Sequence, residues 1–175
     1  MSLTEELKQK IDAGACITRD EALLLVKEPL EELAGAADEI RKKMCGNRFD
    51  LCTIINGKCG RCSEDCKYCA QSAHYHTDCQ DTYSLLPTEA LLAGAKHNRE
   101  QGVLRYSIVT SGRRLSDGEI DQVCESIREI RRQVGIEVCV SFGLLGEAQF
   151  QKIKEAGASR VHCNLESSRN YFPQI

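Results

Sequence analysis

The sequence predicts an α/β fold: N-terminal helices, then strand–helix units whose parallel strands curl into a barrel or partial barrel. Three observations carry this. From about Asp50 onward, short β-branched runs alternate with stretches of helical spacing. Three times a glycine (Gly102, Gly135, Gly157) closes a helical stretch and a strand follows at once. The strands that follow have one apolar and one polar face. Strand–helix–strand with short joints implies a parallel sheet with right-handed crossovers.

Residues 1–45 read as helices. Thr18 with Glu21 forms a capping-box pattern ahead of Ala22-Leu-Leu-Leu-Val26. A second helical stretch runs from Glu31 to about Met44; its acidic start (Glu31, Glu32) and basic end (Arg41, Lys42, Lys43) suit the helix dipole. The first strand is expected at residues 51–55. Thr88 is expected to cap a helix ending at Gly102, and residues 103–111 form the second strand. Ser116 and Glu119 form another capping box. The helix behind it carries Ile120, Val123, Cys124, Ile127, Ile130 and Val134 at helical spacing. Residues 136–142 are the third strand, and a short helix with Phe150 and Ile153 leads to a fourth at residues 160–165. The domain boundary is expected at 48/49: a helical extension over 1–48, then the barrel-type unit over 49–175.

On the second strand Leu104, Tyr106 and Ile108 oppose Arg105 and Ser107. On the third, Val138, Val140 and Phe142 oppose Glu137, Cys139 and Ser141. On the fourth, Val161, Cys163 and Leu165 oppose Arg160, His162, Asn164 and Glu166. A doubly wound sheet is apolar on both faces, and a filled barrel core is mostly aliphatic. A lumen that holds a polar ligand fits this pattern better. An antiparallel sheet with one wet face is the alternative.

Of the 175 residues, 42% are hydrophobic, enough for a core without disulfides. With 23 basic against 26 acidic residues there is no basic footprint for nucleic acid. No apolar run is long enough for a membrane span, and the first residues do not read as a secretory signal. A reducing cytoplasm is therefore expected. There, 11 cysteines point to metal or catalysis before disulfides.

Cys62-Ser-Glu-Asp-Cys66-Lys-Tyr-Cys69 puts three thiols in one short polar loop, after a Cys59-Gly60 step. Three close thiolates suit a soft metal centre. Zinc would want a fourth ligand, which His74 or His76 could supply. A four-iron cube with three protein ligands would keep one iron open for a substrate. Spacing alone leaves both open.

The stretch from Asn56 to Ser72, with Glu64-Asp65 inside it and Ala70-Gln71-Ser72 after it, resembles the cluster loop of biotin synthases, which are radical S-adenosylmethionine enzymes. The similarity continues through Arg105-Tyr-Ser-Ile-Val-Thr-Ser-Gly112, Glu137-Val-Cys-Val-Ser141 and Asn164-Leu-Glu-Ser-Ser168. It implies a TIM-type (β/α)8 barrel of the radical SAM kind, here truncated to about its first four β/α units. It implies that Cys62, Cys66 and Cys69 hold a [4Fe–4S] cluster whose open iron takes S-adenosylmethionine. Tyr68, Thr110, Asn164 and Glu166 would bind that cofactor, and His162 and Asn164 would face dethiobiotin. Cys139 would ligate an auxiliary iron–sulfur cluster, [2Fe–2S] or a variant, which is the sulfur source. Ser107 stands where many relatives have another cysteine, and its oxygen is a harder ligand for iron than a thiolate. Cys52, Cys79 and Cys163 are the thiols that could serve instead, although each also reads as a small buried hydrophobe. Cys16, Cys45 and Cys124 carry no functional expectation.

The chemistry implied is radical sulfur insertion, dethiobiotin to biotin, fed by a reducing electron-transfer protein, in a homodimer. A full barrel takes about 250 residues. This chain is accordingly expected to be a fragment or truncated product that loads the cube without completing turnover. A different radical enzyme, or a non-catalytic zinc-binding piece, is the rival expectation.

Overall fold

The computed structural model describes residues 1–47, 49–78 and 81–175. The chain divides into two compact units, Met1–Phe49 and Asp50–Ile175. Among the described residues no helix is long and apolar enough to cross a membrane.

The first unit holds α1 (Leu3–Asp12), α2 (Arg19–Leu25) and α3 (Leu30–Cys45). The Thr18 capping box forms as expected: the Glu21 amide donates to Thr18 Oγ1 at 3.2 Å, and the Thr18 amide donates to Glu21 Oε2 at 2.6 Å. Glu21 also accepts from Lys10 Nζ at 2.7 Å, which joins α1 to α2. That lysine and the Thr18 donors hold the Glu21 carboxyl down at about 2.

The second unit is a parallel sheet in the order β1 (Cys52–Lys58), β2 (Arg105–Thr110), β3 (Glu137–Ser141) and β4 (Ala158–Val161). Helices α4 (Thr88–Glu100), α5 (Asp117–Gln133) and α6 (Glu147–Ala156) connect the strands. Parallel pairing throughout excludes the antiparallel alternative. Tyr106, Ile108, Val138 and Val140 on the helix side of the sheet pack with Leu91, Ile120, Val123, Ile127, Ile130 and Ile153 into one core. Cys124 is buried in that core, as its place on the apolar stripe of α5 requires.

Gly102, Gly135 and Gly157 all have left-handed backbone, with φ of 81°, 67° and 105°. Each ends its helix where a Cβ would be strained. A strand follows Gly157 at once, whereas β3 begins two residues after Gly135 and β2 three residues after Gly102.

Four local expectations are corrected. The first strand does not stop at Ile55 but runs to Lys58, through a register shift between Asn56 and Lys58. Gly57 allows it, because a Cβ there would lie 2.9 Å from Ile108 Cγ2. Thr88 does not cap α4; Pro87 holds the cap position, and the Thr88 hydroxyl meets Ser126 Oγ at 2.8 Å instead. The fourth strand spans Ala158–Val161, not 160–165. Its ladder continues only as far as the His162 amide, which donates to Val140 O at 2.8 Å. Face alternation therefore does not reach Cys163, which is exposed rather than helix-facing.

Candidate iron–sulfur site

The cysteine loop leaves the C-terminal end of β1, where sites of β/α barrels gather. Gly60 has φ of 87°, and a Cβ there would meet Thr82 Oγ1 at 2.5 Å. Arg61, next in the chain, also has positive φ, 44°, which is rare for a non-glycine residue. The chain is thus turned sharply before Cys62.

What holds the turn is a set of polar side chains. The Gly60 amide donates to Gln71 Oε1 at 3.0 Å, and Cys62 and Gln71 pair through their backbone at 2.9 Å. The Ser72 hydroxyl, buried, donates to Glu64 O at 2.7 Å and accepts from the His74 amide at 3.2 Å. Tyr75 donates its phenol to Asp65. That bond keeps the Asp65 carboxyl below its ordinary value and raises the Tyr75 hydroxyl. Ser111, beyond β2, donates to Gly60 O at 3.1 Å.

Cys62, Cys66 and Cys69 are all free and half-buried. Burial pushes the Cys66 thiol up, and the neighbouring thiols of Cys69 and Cys62 push it further, with Glu64 and Asp65 adding to them. The three sulfurs are therefore near enough to feel each other's charge. Among the described residues, however, no three His, Cys, Asp or Glu side chains converge closely enough to share one ion. A multi-iron cluster takes each thiolate on a different iron, so its ligands stand further apart than those of one zinc. His74 directs Nε2 to Ser63 O at 3.1 Å, a contact that competes with any fourth-ligand role. His76 is exposed and lines a cleft with Gly60, Ala70 and Thr82. Three thiols on one short loop have the donor chemistry that an iron–sulfur cube takes.

Tyr68 is exposed and shares an open cleft of about 370 Å³ with Glu166, Lys67, Ser167, Tyr171 and Ile175. Partial desolvation raises the Tyr68 hydroxyl, and the charges of Cys66 and Glu166 add to this. Glu166 is held at φ 61°, in the left-handed region, and accepts from Asn164 Nδ2 at 2.7 Å. Such backbone in a non-glycine residue concentrates at functional sites. The sequence pattern puts Glu166 at the end of the fourth strand, but β4 stops at Val161, and Glu166 lies with His162 and Asn164 in the exposed segment after it. Thr110 is the last residue of β2, and its hydroxyl reaches Ser141 O at 3.4 Å.

On the polar face of the sheet, Ser107 and Cys139 are register partners and both are buried. Cys52 Sγ lies 3.7 Å from Ser107 Oγ. Cys79 falls outside the described residues. The structure thus gathers the three loop cysteines with Tyr68, Tyr68 with Glu166, and Ser107 with Cys139. Gln71, Ser72 and Ser111 hold the loop, as does Arg113, whose Nη1 donates to Glu64 Oε2 at 3.1 Å; the sequence assigned none of these four a role. Only Gln71 and Ser72 carried a signal there, as part of the Ala-Gln-Ser run.

The radical SAM superfamily model matches residues 58–175. The chain is 52% identical over all 175 residues to "Biotin synthase 2" of Corynebacterium diphtheriae, covering 53% of that protein. It is 54% identical to the biotin synthase of Akkermansia muciniphila over its whole length, covering 54% of that protein. The chain spans about half the length of the curated relatives it matches. Among solved structures, methylornithine synthase (PylB) superposes with a TM-score of 0.74 at 21% identity, over 99% of this chain and 50% of that one. The hydrogenase maturase HydG of Carboxydothermus hydrogenoformans gives 0.65 at 22% identity, over 94% and 38%. At that identity the two structures attest a shared partial-barrel fold.

Proposed function

The chain belongs to the radical SAM superfamily, and from that premise we propose that it serves a biotin synthase-like sulfur insertion, dethiobiotin to biotin. The observation that supports this most directly is the half-buried three-thiol loop at the end of β1, beside which His74 Nε2 is engaged by Ser63 O. Cys62, Cys66 and Cys69 would hold a [4Fe–4S] cluster with S-adenosylmethionine on its open iron. When bound, that pair supplies a carbon radical able to take hydrogen from an unactivated carbon.

The chain's own residues prepare the place. Gln71 and Ser72 fix the loop backbone so that the three thiols need not be ordered at binding. Tyr68 offers a flat apolar ring with a polar tip to the adenine side of the cofactor. Glu166, pre-bent and oriented by Asn164, offers carboxylate oxygens to ribose hydroxyls. Asn164 and His162 follow β4 on the same segment and would face dethiobiotin. Cys139, with Ser107 beside it, would belong to the auxiliary cluster. The reading also carries an electron-transfer protein as reductant, a homodimeric assembly, a cytoplasmic setting, and a helical extension (1–48) separate from the barrel unit (49–175). For this 175-residue chain it extends to cluster loading and cofactor binding; biotin formed by the purified chain would overturn that limit.

Anaerobic loading with iron and sulfide tests the reading. About four iron and four sulfide per chain at the loop are expected, lost in Cys62→Ala. The reduced spectrum should shift when S-adenosylmethionine is added. One zinc per chain with no iron uptake would sink it.

A further inference from the structure

The three thiols of the cysteine loop are not held alike. Cys62 is fixed through its backbone on both sides: its amide donates to Gln71 O at 2.9 Å, and its carbonyl accepts the Ala73 amide at 2.8 Å. The Cys69 carbonyl accepts the Ser72 amide at 3.2 Å, and the Cys69 amide donates to Cys66 O at 3.0 Å. Among the described residues, the Cys66 backbone joins only that last bond, inside its own turn. The tether beside Cys66 is a side chain instead. Asp65, immediately before it in the chain, accepts the phenol of Tyr75 from ten residues away.

Tyr75 reaches across from a fixed base. The His74 amide before it donates to Ser72 Oγ at 3.2 Å, and the Thr77 hydroxyl after it donates to Ala70 O at 2.7 Å. Core packing does not account for the ring: Tyr75 is 37% exposed and lies outside the hydrophobic core, bordering a cleft with Tyr68 and Cys69. Nor does burial require a partner for Asp65, which is exposed. The bond is charge-assisted, and so stronger than one between neutral groups. The Cys66 thiol feels the Asp65 charge. Reducing an iron–sulfur cluster adds negative charge, and nearby charges and hydrogen bonds set how readily it is taken up. A donor on Asp65 screens the carboxylate that stands next to Cys66.

We propose that Tyr75 is a positioning residue for the loop cluster: through Asp65 it fixes the middle ligand, Cys66, and screens the adjoining carboxylate when the cluster is reduced. This rests on the reading that Cys62, Cys66 and Cys69 hold a four-iron cluster. The electron comes from the reducing protein of that reading; no covalent bond changes at Tyr75, and its proton stays on the phenol.

The test uses the full chain. Asp65→Asn removes the charge yet keeps an oxygen that accepts from Tyr75. In that background, without iron, adding Tyr75→Phe should speed iodoacetamide alkylation of Cys66 about fivefold, the loss of one hydrogen bond, and leave Cys62 unchanged. Equal Cys66 rates, or the same rise at Cys62, overturn the proposal. After anaerobic loading with iron and sulfide, Tyr75→Phe alone should lose iron to a chelator about tenfold faster than the parent, and Asp65→Asn should match the parent. Tyr75→Phe should also lower the midpoint potential and Asp65→Asn raise it, with the double variant equal to Asp65→Asn. A midpoint unmoved by Tyr75→Phe, which a merely structural role would leave alone, overturns the screening. A parent chain that takes up no iron fails the cluster reading itself, and the alkylation rates still decide whether Tyr75 fixes Cys66.

Discussion

Arg113 Nη1 donates to Glu64 Oε2 at 3.1 Å, joining the segment after β2 to the middle of the cysteine loop. Arg113 is itself held from behind: its carbonyl accepts the Leu144 amide at 2.9 Å, and Arg114 bridges Gly143. The loops after β1, β2 and β3 are thereby linked in series at one end of the sheet.

An exposed ion pair of this kind contributes less than about 1 kcal/mol to stability. Its effect should appear locally. Arg113→Ala is expected to leave the unfolding midpoint nearly unchanged while speeding the loss of loop iron to a chelator. Combining Glu64→Lys with Arg113→Glu should restore the slower rate. Equal loss rates in all forms would show that the pair does not hold the loop.

Gly143 has φ of 76°, and a Cβ there would run into the Arg113 carbonyl. Gly143→Ala should cost about 1–3 kcal/mol through strained backbone alone, before any shift of Arg113. Urea unfolding measures it; a variant as stable as the parent would mean that the loops after β2 and β3 are not locked together.

Glu119 ties the end of β1 to α5. Lys58 Nζ donates to it at 2.6 Å, and the Ser116 amide donates at 2.8 Å. Burial alone would raise this carboxyl, but those donors outweigh it and the net shift is downward. A carboxyl depressed in the folded state stabilises the fold above its ordinary, unfolded value. That contribution is lost as pH falls from there toward the lower folded value. Unfolding across this acid range should steepen with falling pH, and Glu119→Gln should flatten the slope. An unchanged slope in the variant would contradict the assignment.

Glu166 sits where glycine is at ease. Glu166→Gly should leave stability within about 1 kcal/mol of the parent, since relief of strain offsets the added chain entropy. On the proposed function, the same change should weaken S-adenosylmethionine binding to the loaded chain about tenfold or more, through lost carboxylate hydrogen bonds. Calorimetry reads the binding; unaltered affinity would remove Glu166 from the cofactor site.

Much of this molecule follows from local pattern. The apolar stripe of α5, both Ser/Thr–Glu capping boxes and the helix-closing glycines all depend on residues a few positions apart, so the chain states them directly. The three-cysteine loop is local in the same sense. Strand ends were less legible: β1 passes Ile55 because Gly57 permits a bulge against β2, and β4 stops at Val161. The 3.7 Å approach of Cys52 to Ser107 and the Glu64–Arg113 pair depend wholly on register and on the packing of loops from different strands. Periodicity records which face a side chain takes, but not which residue stands opposite it on the next strand. The sequence by itself therefore determined the α/β alternation and the chemistry of the thiol loop. Tertiary structure alone decided which distant side chains brace that loop, and which thiol stands beside the serine on the polar face.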